Sequence, residues 1–187
     1  MSDTIKSLTG SIRWHKKYSL RAPKKGSIAP DFELCDVKGE NLVRLSAFRG
    51  DKPVVLVFGS FTWEPFVKEA VSLQDLYTEY SENVQFLIIY IREAHPVDGW
   101  YMGDHDYKDP QTIEKRRSLA SICEVQMKYG IHTYVDEMDD RVMKAYAAWP
   151  DRLYLIDSDG KVAYAGGIGP WGFKPGKLKD AIDRLLI

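Results

Sequence analysis

The chain has 187 residues, 44% of them hydrophobic and 28% charged, enough for one globular domain with a continuous core, which excludes a disordered or collagen-like polymer. Its formal net charge of −1 gives no overall field that would favour nucleic acid or a membrane surface. The balance is uneven, however: residues 1–25 carry Lys6, Arg13, Lys16, Lys17, Arg21, Lys24 and Lys25 against Asp3, so this end stands at +6 and the rest at −7.

Residues 1–27 read as a basic, extended lead-in, either a solvated arm or a contact for an anionic partner, with Trp14 and Tyr18 as candidates for pinning it. Residues 28–187 read as a single domain. Short strands at Phe32–Cys35 and Leu42–Leu45 flank a Lys38-Gly39 turn, and Ser46 opens a brief helical turn that Gly50 ends. The apolar, β-branched run Val54–Phe58 then stops at Gly59-Ser60, and a helix is predicted from about Glu64 to Tyr80, with Phe66, Ala70, Leu73, Tyr77 and Tyr80 on one face. Val84–Ile91 is a second continuous apolar strand, which suits a parallel sheet buried on both faces.

The polar, aromatic stretch Arg92–Pro110 is too long for an ordinary connection, and long ordered loops are often functional. A helix over Gln111–Tyr129, with Leu119, Ile122, Cys123 and Met127 on its buried side, leads to a strand at His132–Asp136. Asp136, Glu137, Asp139 and Asp140 read as electrostatics at a helix start. Leu153–Ile156 and Lys161–Ala165 flank a hairpin turn at Asp157–Gly160, and a Gly- and Pro-rich loop leads to a closing helix with Leu178, Ala181, Ile182 and Leu185.

The strand-to-helix junction at Pro53–Phe66 is where a redox protein would hold a thiolate or selenolate, since helix-start N–H groups favour negative charge. The residue there is Trp63, which is neither. Apolar runs reach only five or six residues, well short of the roughly 18–20 that span a bilayer, and no signal-peptide core is present. A cytoplasmic protein is therefore expected. Cys35 and Cys123 lie 88 positions apart without CxxC or Cys/His spacing, so they read as small apolar residues with raised pKa, and neither a disulfide framework nor a metal site is expected. Asp104-His105-Asp106 reads as solvated surface, because three adjacent loop residues do not readily face one ion.

The order of elements resembles the thioredoxin-like fold: an α/β domain with a central mixed sheet flanked by helices and an N-terminal β-hairpin extension. The blocks FGSFTWEPF (Phe58–Phe66), YIREAHPVDGW (Tyr90–Trp100), DEMDDRVMKAY (Asp136–Tyr146) and RLYLIDSDGKVAYAGGIGP (Arg152–Pro170) resemble, in order and separation, those of the iodothyronine deiodinase family. The resemblance implies reductive removal of iodide from an aromatic ring by selenocysteine or cysteine, with an external thiol as reductant and no bound cofactor. It assigns the nucleophile position to Trp63 and supporting roles to Thr62, Glu93, His95 and Arg152. A resolving Cys of animal relatives falls on Ser118, the second Cys of a thioredoxin motif on Phe66, and the usual cis-proline nearest Asp151. Lacking the membrane anchor of the animal enzymes, the chain is expected to be a soluble, bacterial-type relative, with no nucleic-acid or membrane partner and a homodimer left open.

Phe61, Trp100, Tyr101, Met138 and Trp171 are candidates for binding an aromatic substrate, with Tyr107 beside them. Because an indole cannot attack iodine, sulfur or peroxide, family-type nucleophilic catalysis is expected to be absent. One alternative is that Trp63 stands for a recoded selenocysteine, since the codons UGA and UGG differ by one base. Another is a non-catalytic thioredoxin-fold binding module, and a third is a thiol peroxidase using Cys35 or Cys123. For His95 and Glu93, a proton relay and a bracing role for the long loop both remain open.

Overall fold

The computed structural model describes residues 7–103 and 105–187; Asp3, Lys6 and Asp104 lie outside the described residues. The apolar runs form the centre of a mixed sheet. β3 (Val54–Gly59) and β4 (Gln85–Tyr90) pair in parallel, from Val54 opposite Gln85 to Gly59 opposite Tyr90. β5 (Thr133–Val135) adds in parallel to β4, while β6 (Arg152–Ile156) runs antiparallel to β3 and β7 (Val162–Ala165) antiparallel to β6. The resulting order is β5-β4-β3-β6-β7. β1 (Glu33–Cys35) and β2 (Leu42–Arg44) form the expected separate hairpin, and Asp36 bridges to Tyr134 of β5.

Successive residues of a strand face opposite sides, and β3 uses both for packing. Val54, Leu56 and Phe58 face a cluster with Trp14, Tyr18, Met143, Tyr146 and Trp149. Val55 and Val57 face a second cluster with Phe66, Leu73, Leu119, Cys123 and Leu178. The sheet is thus covered on both sides, which is why its central strands read as unbroken apolar runs.

The middle of the lead-in, residues 8–21, is helical, not extended. α1 (Leu8–Tyr18) starts at Ser7, whose side chain accepts from Gly10 N–H, and ends in Lys16 and Lys17, cations that suit the negative end of a helix. Ser11, Trp14 and Tyr18 form its buried stripe. The helix expected over Glu64–Tyr80 is divided: α2 (Glu64–Lys68) ends at Glu69 (φ −87°, ψ 5°), and α3 (Ala70–Tyr80) follows directly. Only a short helix therefore stands behind residue 63, so the dipole support is smaller than the longer helix would supply.

α4 (Ile113–Met127) buries Arg116, Leu119, Ala120 and Cys123, whereas Ile122, expected inside, is 40% exposed. Arg116 occupies the inner face because it has partners there: it donates to the Asp136 and Glu137 carbonyls and pairs with buried Asp140 at 3.0 Å, which also pairs with Arg92 at 2.6 Å. Asp140 thus holds two arginines and makes no side-chain cap to α5 (Arg141–Tyr146). The capping contacts come from Asp136, whose carboxylate accepts from the Val142 and Met143 N–H groups. Cys35 is half-buried, contrary to the expectation of a buried thiol; Cys123 is buried, and burial pushes its pKa far up. The closing helix is α6 (Pro175–Leu186). Among the described residues, no helix is long and apolar enough to cross a membrane.

Candidate active site

The site forms where β3 hands the chain to α2. Gly59 closes the strand against the ring of Phe66: a Cβ there would lie 2.3 Å from Phe66 Cδ2, so the tight passage requires glycine. Pro65 lies in the first turn of α2, where its missing N–H is no loss. Between them, Thr62 is buried and Trp63 half-buried.

Thr62 is tied to the start of the long loop that follows β4. Its hydroxyl donates to Glu93 Oε2 at 2.7 Å, and its N–H reaches the same oxygen at 3.0 Å. The hydroxyl oxygen accepts from the N–H groups of Ala94 and His95, each at 3.1 Å. Tyr90 donates to the other carboxyl oxygen of Glu93 and accepts from Phe61 N–H at 3.2 Å. Glu93 is buried; loss of solvation pushes its pKa up to about 7, against the hydrogen bonds that stabilise the anion.

His95 stands beside residue 63, its ring centroid 5.3 Å from that of the Trp63 indole and 4.9 Å from that of Trp100. Its Nδ1 lies 2.6 Å from the Trp100 carbonyl oxygen. A carbonyl only accepts, so Nδ1 carries the hydrogen and Nε2 is the nitrogen left to exchange a proton. Burial lowers the His95 pKa.

Asp151 completes the surroundings of residue 63. Trp63 Nε1 donates to Asp151 Oδ2 and Gly169 N–H to Oδ1, both at 2.7 Å. The carboxyl is fully buried, which pushes its pKa up to about 7. The cis peptide falls at Trp149–Pro150, one residue before Asp151, with a second at Gly169–Pro170.

Of the residues singled out from the sequence, Thr62, Trp63, Glu93, His95 and Trp100 are brought together. Phe61 packs on Tyr107 at 5.0 Å between ring centroids. Tyr101 meets the ring of His105, which also stacks on Tyr107, so His105 is half-buried and not simply solvated surface. Arg152 points elsewhere: it donates to the carbonyls of Gly166 and Ala147 and lies over Tyr154. Trp171 is 84% exposed and Met138 is half-buried. Ser118 is exposed and Phe66 buried. Tyr90 and Asp151 join the site through partners 3 and 88 positions away; in the sequence their signals are a Tyr at a strand end three positions before an acid, and an Asp following a proline.

A mixed sheet of this order with helices on both faces and a site at the β3–α2 turn defines a thioredoxin-like protein. The solved thioredoxin domain of a thiol-disulfide oxidoreductase from Bacteroides vulgatus superposes with a TM-score of 0.63 at 19% identity, over 89% of this chain and 100% of that one. An uncharacterised conserved protein from Geobacillus kaustophilus gives 0.65 at 24% identity, over 87% and 82%. Within that class the chain belongs to the iodothyronine deiodinase family, whose profile matches residues 3–186. It is 36% identical to a thyroxine 5-deiodinase of Aquarana catesbeiana, over 97% of this chain and 68% of that protein, and 38% identical to one of Ovis aries, over 97% and 62%.

Proposed function

We propose that this chain carries a pocket for an iodinated phenolic aromatic and that Trp63, at the position of the attacking atom, leaves it able to bind such a compound but not to release iodide. The observation that carries the reading is the set of proton-handling groups around an inert side chain: Thr62, Glu93 and His95 converge beside an indole anchored to Asp151. Relatives that bear the name thyroxine 5-deiodinase direct the choice of an aryl iodide.

With a thiolate at residue 63 the reaction closes. Sulfur attacks iodine, the S–I bond forms, and the C–I electron pair stays on the ring carbon, which takes a proton. Glu93, with a pKa near 7, still holds one around neutrality, and His95 Nε2 is the exchangeable nitrogen beside the reacting position. An external thiol then attacks the iodinated sulfur, releasing iodide and leaving a mixed disulfide. A second thiol restores the cysteine, so two thiols become one disulfide as the aryl iodide becomes the arene. The reductant is external, and the setting is a cytoplasmic protein of bacterial type with no nucleic-acid or membrane partner.

The test is Trp63→Cys, with iodide release measured from an iodinated phenol in excess dithiothreitol. The expected result is thiol-dependent release by the variant and none by the unaltered chain, whose indole fluorescence the iodinated compound quenches. A folded Trp63→Cys protein inert toward iodinated phenols, peroxides and disulfides overturns the enzymatic reading. It would leave the second reading, a non-catalytic binding module in which the indole bonded to Asp151 fills the former site. Intact mass of the protein made from its natural gene decides whether residue 63 is tryptophan or a recoded selenocysteine.

A further inference from the structure

A groove of about 800 Å³ runs along β7 on the opposite side of β6 from β3. β7 is an edge strand. Its outer side is paired only at the start, where Gly26 N–H donates to the Val162 carbonyl, Val162 N–H to Ser27, and Ala29 N–H to Gly160. From Ala163 to Ala165 no backbone partner meets that side among the described residues. One wall is the segment from Ser19 to Gly26, the other is α6, and Lys24, Lys25, Lys161, Arg184 and Arg152 all line the space. Among the described residues, Asp157 is the one carboxylate in the lining, and its Oδ1 is engaged by Lys161 N–H within the hairpin turn.

We propose that this groove docks an acidic, extended segment of a partner protein, which adds to the sheet as a strand beside β7. Three features point to that occupant. An unpaired strand edge offers N–H and C=O groups that an extended peptide satisfies. The cations are only partly compensated: Lys161 faces Asp159 at 3.9 Å and Arg184 lies near Asp183, while Arg152, half-buried, is held by two neutral carbonyls, and Lys24, Lys25 and Arg184 are exposed on the rim. Such a rim attracts an acidic partner and fixes its orientation. Small apolar side chains (Ala163, Ala165, Ala181) leave room on the floor, so the fitting sequence alternates acidic with apolar residues. The inference does not depend on the chemistry at residue 63.

The test is fluorescence anisotropy with a labelled short peptide of alternating Glu and Val. The expected result is saturable binding that weakens about tenfold or more as salt is raised, and about tenfold or more in Lys24→Glu/Lys25→Glu/Arg184→Glu. Alternate-residue N-methylation of the peptide, which removes backbone donors, has an effect of the same size, and the Lys–Val counterpart does not bind. If the triple variant misfolds by circular dichroism, Lys24→Ala/Arg184→Ala serves instead. Failure of the peptide to bind, or binding that survives the charge changes, overturns the proposal. Equal binding of the N-methylated peptide reduces the groove to a basic patch and also overturns it. So does sedimentation showing a dimer of this chain that the peptide does not disperse, which would make the edge a self-interface.

Discussion

Thr62 holds three groups at once: its hydroxyl donates to Glu93 and accepts from the N–H groups of Ala94 and His95. Thr62→Val keeps the shape but takes one of two donors from a buried carboxyl oxygen and leaves two N–H groups without their acceptor, so stability should fall by about 2–4 kcal/mol in urea unfolding. Thr62→Ser should recover most of that loss. Asp151 gives a pH signature. Its carboxyl, raised from 3.8 to about 7 by burial, keeps its proton in the folded chain over a range where the unfolded chain has lost it. Its contribution to stability is therefore complete below the unfolded value and fades as pH rises toward about 7. Asp151→Asn should remove that component, narrowing the difference in urea midpoint between about pH 5 and about pH 8. The indole N–H resonance of Trp63 should move downfield through the same transition, as its bond to Asp151 becomes charge-assisted, and should stay still in the variant. The sequence blocks made Thr62, Glu93 and His95 legible. They could not reveal Asp151, whose bond to Trp63 spans 88 positions and is made only when β6 pairs with β3.

The strand-to-helix turn depends on one missing side chain. Gly59→Ala would drive a methyl group into the Phe66 ring, and thermal or urea unfolding should register a loss of about 1–3 kcal/mol. Phe66→Leu in the same chain should relieve part of it, because the clash is with the ring. Strands β3 and β4 were readable because both faces are buried, and the hairpins because turn residues separate them. α1 departs from the extended lead-in expected from the sequence, although Ser11, Trp14 and Tyr18 stand at helical spacing. A Gly, two polar starters and clustered cations hid a stripe of only three buried residues. The break at Glu69 was invisible because the apolar period runs on through it.

The unequal distribution of charge takes on structural meaning once the chain is folded. The basic segment is not a free arm: Trp14 and Tyr18 dock in the core, and Lys24 and Lys25 are held at the edge of β7 opposite Arg184 of α6. That meeting of the two chain ends could not be read from either alone. The central position of β3 has a kinetic consequence. Bonded to β4 on one side and β6 on the other, with every residue buried, it belongs to the part of the protein that opens last. Amide exchange should accordingly be slowest at Val55–Phe58, with the 92–111 and 166–174 segments, which contain no helix or strand among the described residues, exchanging many times faster. Residue 63 is mounted on the first and roofed by the second kind of structure, through His95 and through Gly169 on Asp151. The surroundings of residue 63 should therefore rearrange more readily than the strand that carries it, so a change of side chain there is absorbed by the loops and not by β3.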